Sequence, residues 1–285
     1  MFVDLHTHST ASDGTDSPAA LVAQAAAAGL CAVALTDHDT VCGLDEATTA
    51  GKAHGLAVVR GCELAVSSPY GEVHILGLWL PEKLGYLESA LRNLRDAREV
   101  RNREMVDMFR RAGHDISYPE LLAEAGGESV GRPHMARLLV KKRICSSTRE
   151  AFSKFLGDNK AMYVPRVLPT PEEGIALLRQ EGATTVMAHP MLLEAPLPEL
   201  DALVGRLAAV GLDGLEVFHS EHDAPAVRRA SRLAERYALA VSGGSDYHGG
   251  MRSERPLGCV HGNKRIPRSV YDNLLALRVE RGLPV

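Results

Sequence analysis

An alternation in the sequence limits the fold most. Seven short apolar, β-branched runs, at residues 1–5, 31–35, 56–59, 73–80, 184–188, 214–218 and 239–241, are mostly separated by stretches of helical patterning such as 18–29, 170–182, 197–211 and 224–237. Residues 259–260 make a weak eighth run. Ser17 before Pro18 and Thr170 before Pro171 read as helix N-caps. Strands alternating with helices imply a parallel sheet or a (β/α) barrel, and 285 residues are enough to bury the core of one such domain carrying an insertion.

The insertion lies between residues 83 and 166, where no strand pattern occurs. Residues 86–112 read as one long charged helix, and 119–125, 132–142 and 148–156 as shorter ones. The division is therefore a barrel made of 1–82 and 167–285 with a helical subdomain at 83–166. Charge follows the same boundary: the insert holds 17 Lys plus Arg against 11 Asp plus Glu, while the remainder holds 15 against 25. A basic insert in an acidic chain suits an anionic partner on one side and cations on the other.

The strand ends carry the chemistry. His6 and His8 are two apart, so on an extended strand they point the same way and can share a metal ion. Asp13 follows in a turn, and the second run ends in Asp37-His38-Asp39. The third ends at Glu63, the fourth carries His74 and the fifth ends at His189. The sixth ends in His219 and His222, and the seventh is followed by Asp246 and His248. In parallel α/β folds these ends converge on one face, and burying so many unpaired charges there without a cation costs several kcal/mol. His54, His114 and His261 fall outside the pattern and read as ordinary histidines. Five cysteines without a CxxC argue against a disulfide framework and for a reducing compartment, the cytoplasm. No run of apolar residues is long enough to cross a bilayer, and no secretory signal opens the chain.

Asp4-Leu5-His6-Thr7-His8-Ser9, Ser12-Asp13-Gly14-Thr15 and Leu35-Thr36-Asp37-His38-Asp39-Thr40 resemble the first two motifs of the PHP (polymerase and histidinol phosphatase) family. Glu63, His74, His189 and Gly244-Ser245-Asp246-Tyr247-His248 match its later motifs in order. Gly131-Arg132-Pro133-His134 and Glu216-Val217-Phe218-His219-Ser220 resemble the branch containing TrpH-like proteins and nucleoside 3′,5′-bisphosphate phosphatases. The resemblance implies a distorted (β/α)7 barrel with an inserted helical cap and two or three divalent metals. By motif, His6, His8, Glu63 and Asp246 would hold one; Glu63, His74 and His189 a second; Asp13, His38 and His248 a third. Asp13 stands where some relatives have histidine. Imidazole and carboxylate without thiolate suit Mn²⁺, the expected metal, as well as Fe²⁺ or Zn²⁺. Hydroxide on the metals would then be the nucleophile, with His219 or His222 as the candidate general acid.

On the long helix, Arg98, Arg101, Asn102 and Met105 share a face. Together with Arg132 and His134, Arg101 and Asn102 are expected to grip a phosphate other than the one cleaved, and His219 is a further phosphate contact. Lys160 and Arg166 read as surface charge and Trp79 as core; Phe218 and Tyr247 are the aromatic side chains best placed to touch a base. The expected activity is release of the 3′-phosphate from nucleoside 3′,5′-bisphosphates. A 5′-phosphate-recognising 5′-to-3′ exoribonuclease would use the same site on RNA 5′ ends. Histidinol phosphate phosphatase, C–N amidohydrolase and a non-catalytic PHP module rank lower. No membrane or protein partner is implied.

Overall fold

The computed structural model describes residues 1–126, 129–157, 160–252 and 255–285. Its strands are β1 (Phe2–Asp4), β2 (Leu30–Leu35), β3 (Ala57–Ser68), β4 (Gly71–Leu78), β5 (Thr184–Met187), β6 (Gly214–His219), β7 (Ala240–Gly244), β8 (Cys259–Val260) and β9 (Lys264–Pro267). The sheet order is β7-β6-β5-β4-β3-β2-β1-β9-β8. Beyond β1 the chain stays extended and meets β7: the Leu5 N–H donates to the Gly243 carbonyl (3.1 Å), Asp246 N–H to His6 (3.0 Å) and His8 N–H to Tyr247 (2.8 Å). These bonds close the sheet into a barrel. Gly244 permits the approach, since a Cβ there would lie 2.2 Å from the His6 Cβ.

Alternation along the strands sorts the core into two layers. Ala32 and Ala34 of β2 and Leu76 and Leu78 of β4 fill the interior, while Val33, Leu35 and Ile75 face the surrounding helices. Those helices are α1 (Pro18–Ala27), α2 (Leu44–His54), α7 (Pro171–Gln180), α8 (Leu197–Ala209) and α9 (Ala224–Arg236); α10 (Arg268–Glu280) packs Val270 and Leu274 into the interior cluster. Caps begin them as expected, Ser17 accepting from Ala20 and Thr170 forming a capping box with Glu173.

Two expectations need correction. The barrel is not wholly parallel, because β4 runs antiparallel to both β3 and β5. Nor does the third strand end at Glu63: β3 continues to Ser68 and turns directly into β4, so Glu63 lies within a hairpin. Reversal of β4 returns the chain to the barrel floor, where Glu181 accepts the N–H groups of Gly85 and Leu87 at 2.9 to 3.1 Å. From there α3 (Tyr86–Arg111), about 39 Å long at 1.5 Å per residue, climbs to the mouth. Its Leu87, Leu91 and Leu94 join the barrel's outer core. Met105, Val106 and Phe109 instead join a separate core with α4 (Tyr118–Ala125), α5 (Arg132–Lys141) and α6 (Thr148–Ala151), the last continuing as a π-turn to Leu156.

Candidate active site

Glu63 stands at the centre. In the β3–β4 hairpin it pairs with Leu76 while His74 pairs with Ala65, so the two functional side chains are diagonal neighbours on one face. Five imidazoles place a ring nitrogen within 3.4 Å of its carboxylate: His74 Nδ1 at 2.8 Å, His38 Nδ1 at 2.9 Å, His189 Nε2 at 3.1 Å, His8 Nε2 at 3.3 Å and His6 Nε2 at 3.4 Å. A second carboxylate, Asp246, lies 3.3 Å from His8 Nε2 and 3.7 Å from His6 Nε2. Asp13 faces His248 Nε2 at 3.3 Å and His38 Nε2 at 3.9 Å. All nine residues singled out in the sequence as ligands therefore converge, in four overlapping groups: His8 with Asp13, His38 and His248; His6 with Glu63 and His189; His6 with His8 and Asp246; His38 with Glu63 and His74.

The electrostatics of this cluster fit cations. Burial, then the neighbouring His248 and His38, push the His8 pKa down to about 3, so its imidazole is neutral. Burial alone would raise Glu63, but His38, His74 and His6 outweigh it and hold the carboxyl well below its usual range. His6 Nε2, His8 Nε2 and Glu63 Oε2 are buried and make no hydrogen bond among the described residues. Converging lone pairs of this kind, from imidazole and carboxylate and with no thiolate, are a donor set for divalent first-row metals. Asp39, His189 and Asp246 also hold left-handed backbone, at φ 51°, 28° and 54°, the kind of strain that gathers at functional sites.

Behind the cluster lies a carboxylate whose role the sequence reading missed. Glu216 of β6 is buried; its Oε1 accepts from His6 Nδ1 at 3.0 Å and its Oε2 from the His189 backbone N–H at 2.7 Å. Fixing the His6 proton on Nδ1 turns the Nε2 lone pair towards Glu63 and Asp246. Glu216 stood in the quoted Glu216–Ser220 string, but nothing there marked it as the orienting group. His219 and His222, the candidate acids, have opposite tautomers. The Glu221 N–H donates to His219 Nδ1 (3.1 Å), leaving the proton on Nε2, 3.5 Å from Asp246 Oδ2. His222 Nδ1 donates to the Val217 carbonyl (3.0 Å), leaving an unpartnered acceptor at Nε2. His219 thus presents a donor to the site and His222 does not.

The basic residues of the insert face the same mouth. Asp39 Oδ2 accepts from Arg98 Nη2 and, at 3.1 Å, from Arg166 Nη1, and Arg166 Nη2 reaches Glu72 Oε1 at 2.9 Å. Burial would raise the Asp39 pKa, but Arg98 and Arg166 bring it down to about 2. Arg166 is thus a buried bridge, which corrects its reading as surface charge; Lys160 is exposed as expected. Glu72 Oε1 also lies 3.1 Å from His74 Nε2, which continues the chain of charges to the centre. Arg101 is only 4% exposed, and its one hydrogen bond among the described residues runs from Nε to Asn102 Oδ1 at 3.1 Å. Burial, then Arg98, Arg166 and Arg132, pull its pKa well down. Asn102 Nδ2 donates to the Val130 carbonyl (2.8 Å), so Asn102 orients Arg101 and anchors the loop before α5. Arg132 donates to the Leu156 carbonyl at 3.3 Å and lies over the Tyr163 ring. His134 Nδ1 accepts from the Gly131 N–H (2.8 Å), and its Nε2 is buried and makes no hydrogen bond among the described residues.

A cleft of about 860 Å³ opens beside His74 and His189. Its walls come from the β3–β4 turn, from Gly157, Lys160 and Tyr163, and from the loop after β5, and include Tyr70. Neither Phe218 nor Tyr247 lines it: Phe218 packs against both core layers, and the Tyr247 hydroxyl is held by Asp16 (2.7 Å) and Gln24 (3.0 Å).

Comparisons with known proteins agree with this picture. The family model described as the PHP domain matches residues 4–155. The chain is 34% identical over 245 residues to a 5′-3′ exoribonuclease of Haemophilus influenzae, covering 86% of this chain and 89% of that protein. It is 30% identical over 275 residues to a 3′,5′-nucleoside bisphosphate phosphatase of Chromobacterium violaceum, covering 96% of each. A crystal structure from Bifidobacterium adolescentis, assigned as a metal-dependent phosphoesterase, superposes with a TM-score of 0.84 at 33% identity over 96% of this chain and 95% of that one.

Proposed function

The chain belongs to the PHP family of metal-dependent phosphoesterases, and from that premise we propose that it releases the 3′-phosphate from nucleoside 3′,5′-bisphosphates. The observation that carries this reading is Arg101. A guanidinium that is almost fully buried, surrounded by three other arginines and bonded among the described residues only to an amide oxygen, is costly unless an anion completes it. Asp39 and Glu72 neutralise Arg98 and Arg166 and leave Arg101 without a carboxylate among the described residues, a partner that a phosphate other than the one cleaved would supply.

The four groups around Glu63, Asp246 and Asp13 fit two or three divalent cations, manganese being our choice. When bound, these would supply positive charge to the phosphoryl oxygens and acidify a water. The protein's own part is positional. Glu216 holds His6 in the tautomer that ligation needs. His219 offers its Nε2 proton to an oxygen of the scissile phosphate, and His134 offers its own to the phosphate held by Arg101. Asn102 and Arg132 stiffen the frame around Arg101. The inserted helices act as a cap over the barrel, and the five cysteines, which form no disulfide among the described residues, suit the cytoplasm.

Likeness to the exoribonuclease favours a second reading, removal of the 5′-terminal nucleotide from RNA by the same groups. Phosphate release by manganese-loaded protein separates the two, comparing adenosine 3′,5′-bisphosphate with 3′-AMP, 5′-AMP and histidinol phosphate beside a 5′-phosphorylated oligoribonucleotide. Turnover confined to the bisphosphate supports the first reading. Mononucleotides accumulating from the oligomer, with the bisphosphate untouched, would replace it with the second.

A further inference from the structure

We propose that the cleft beside His74 and His189 is a nucleoside subsite that takes the uncharged base and sugar of the substrate; this rests on the bisphosphate reading above. The cleft borders both halves of the site. His74 and His189 line its inner end together with Glu72, whose Oε1 lies 3.1 Å from His74 Nε2 and 2.9 Å from Arg166 Nη2, so the cleft opens where the metal-binding and arginine groups meet. A base and sugar joined to phosphates held at that junction would extend into it.

The walls suit a planar apolar group. The Pro190–Leu192 turn begins directly after His189, so Leu192 and Leu193 line the cleft next to the chemistry. Leu192 is 40% exposed, an open apolar surface at the mouth of a polar site. Opposite, Tyr163 has Arg132 against its ring, and the Tyr70 hydroxyl is pinned by Glu199 Oε2 at 2.6 Å. Charge argues against a nucleic-acid backbone here: among the described residues Lys160 is the one Lys or Arg in the lining, set against Glu72 and Glu194. A track for RNA would need a row of cations. About 860 Å³ lies within the usual range for a small-molecule pocket.

The test uses the full-length manganese-loaded protein and the variants Leu192→Asp and Tyr163→Leu. Substrates are adenosine 3′,5′-bisphosphate, ribose 3,5-bisphosphate, which lacks the base, and a 5′-phosphorylated trinucleotide. Wild type should favour the adenosine compound over the ribose compound by about tenfold or more in KM. Each variant should raise KM for the adenosine compound about tenfold, with the ribose KM and both kcat values within about twofold. Equal handling of the two by wild type, or equal losses in the variants, overturns the subsite. So does a penalty confined to the trinucleotide, which would assign the cleft to downstream RNA. Should wild type release phosphate from neither bisphosphate, the function fails but the subsite is still tested, by calorimetric titration with adenosine 5′-monophosphate. Binding weakened about tenfold in Leu192→Asp upholds it, and no binding to wild type overturns it.

Discussion

Replacing Glu216 by Gln isolates the orienting role of a side chain that touches neither substrate nor solvent. The carboxylate accepts two hydrogen bonds, from His6 Nδ1 and from the His189 backbone N–H. Glutamine keeps the volume but has only one acceptor oxygen. If that oxygen serves His6, the His189 N–H loses its acceptor inside the protein, a cost of about 1–3 kcal/mol. If it serves His189, the new NH₂ faces His6 and drives the imidazole proton from Nδ1 to Nε2. The lone pair that should face Glu63 and Asp246 then disappears. Losing such an orienting partner lowers metal affinity by about 10–100-fold, or roughly 1.4–2.7 kcal/mol. The charge changes as well: burial works against a proton on His6, and Glu216 is the first of the two carboxylates that overcome it. Calorimetric Mn²⁺ titration of the metal-free protein, paired with urea unfolding of the same sample, reads both routes. An unchanged Mn²⁺ affinity together with unchanged metal-free stability would refute the assigned role.

Three further outcomes are expected. Arg101→Met should raise KM for adenosine 3′,5′-bisphosphate about 10–100-fold, the worth of a charge-assisted contact, while 4-nitrophenyl phosphate changes less than about threefold; equal effects would remove the second-phosphate role. Asp246→Asn, and separately His8→Asn, should lose bound metal by elemental analysis and cut phosphatase activity at least about 100-fold while the metal-free circular dichroism spectrum stays unchanged. Asp39 is held at about 2 against an ordinary 3.8, so its carboxylate contributes about 2 kcal/mol that is fully present above pH 4 and fades as pH falls towards 2. Urea unfolding of Asp39→Asn beside the parent should therefore show a stability gap that is flat from pH 7 to 5 and narrows below pH 4; a gap that widens there contradicts the pairing with Arg98 and Arg166.

The alternation of strand and helix and the nine clustered residues were legible because both follow from local constraints: periodicity marks an element, and clustered His, Asp and Glu at run ends need cations. Strand direction has no such signature. An apolar run reads the same in either direction, so the reversal of β4 was invisible until its pairing with β3 and β5 was seen. Glu63 misled for a related reason, since a charged residue in an apolar run looks like the end of a strand when it is the centre of a hairpin. Arg166 sits in an irregular return rich in proline, where no periodicity separates buried from exposed, and only the distant Asp39 and Glu72 reveal its burial. Phe218 and Tyr247 were placed by strand-end logic, which locates a residue along a strand but not the face its ring takes. The helix α2, the helix α10 and the strand β9 were not delimited in the sequence at all.

The climb of α3 from the floor to the mouth governs how this protein can open and how it could have been assembled. Leu87, Leu91 and Leu94 are fixed in the barrel core, and Arg98 and Arg101 follow on the same helix within two turns. Swinging Arg98 and Arg101 away from the barrel would bend a continuous helix. Arg132 and His134 come instead from α5, whose core is separate from the barrel's. Cutting the chain at residue 83 to remove the insert would also strip three leucines from the barrel, at roughly 2–3 kcal/mol each, a loss comparable to the whole stability of an ordinary domain. The insert is contiguous in sequence but not a detachable part, and swapping it between relatives would succeed only with the junction placed beyond the third leucine.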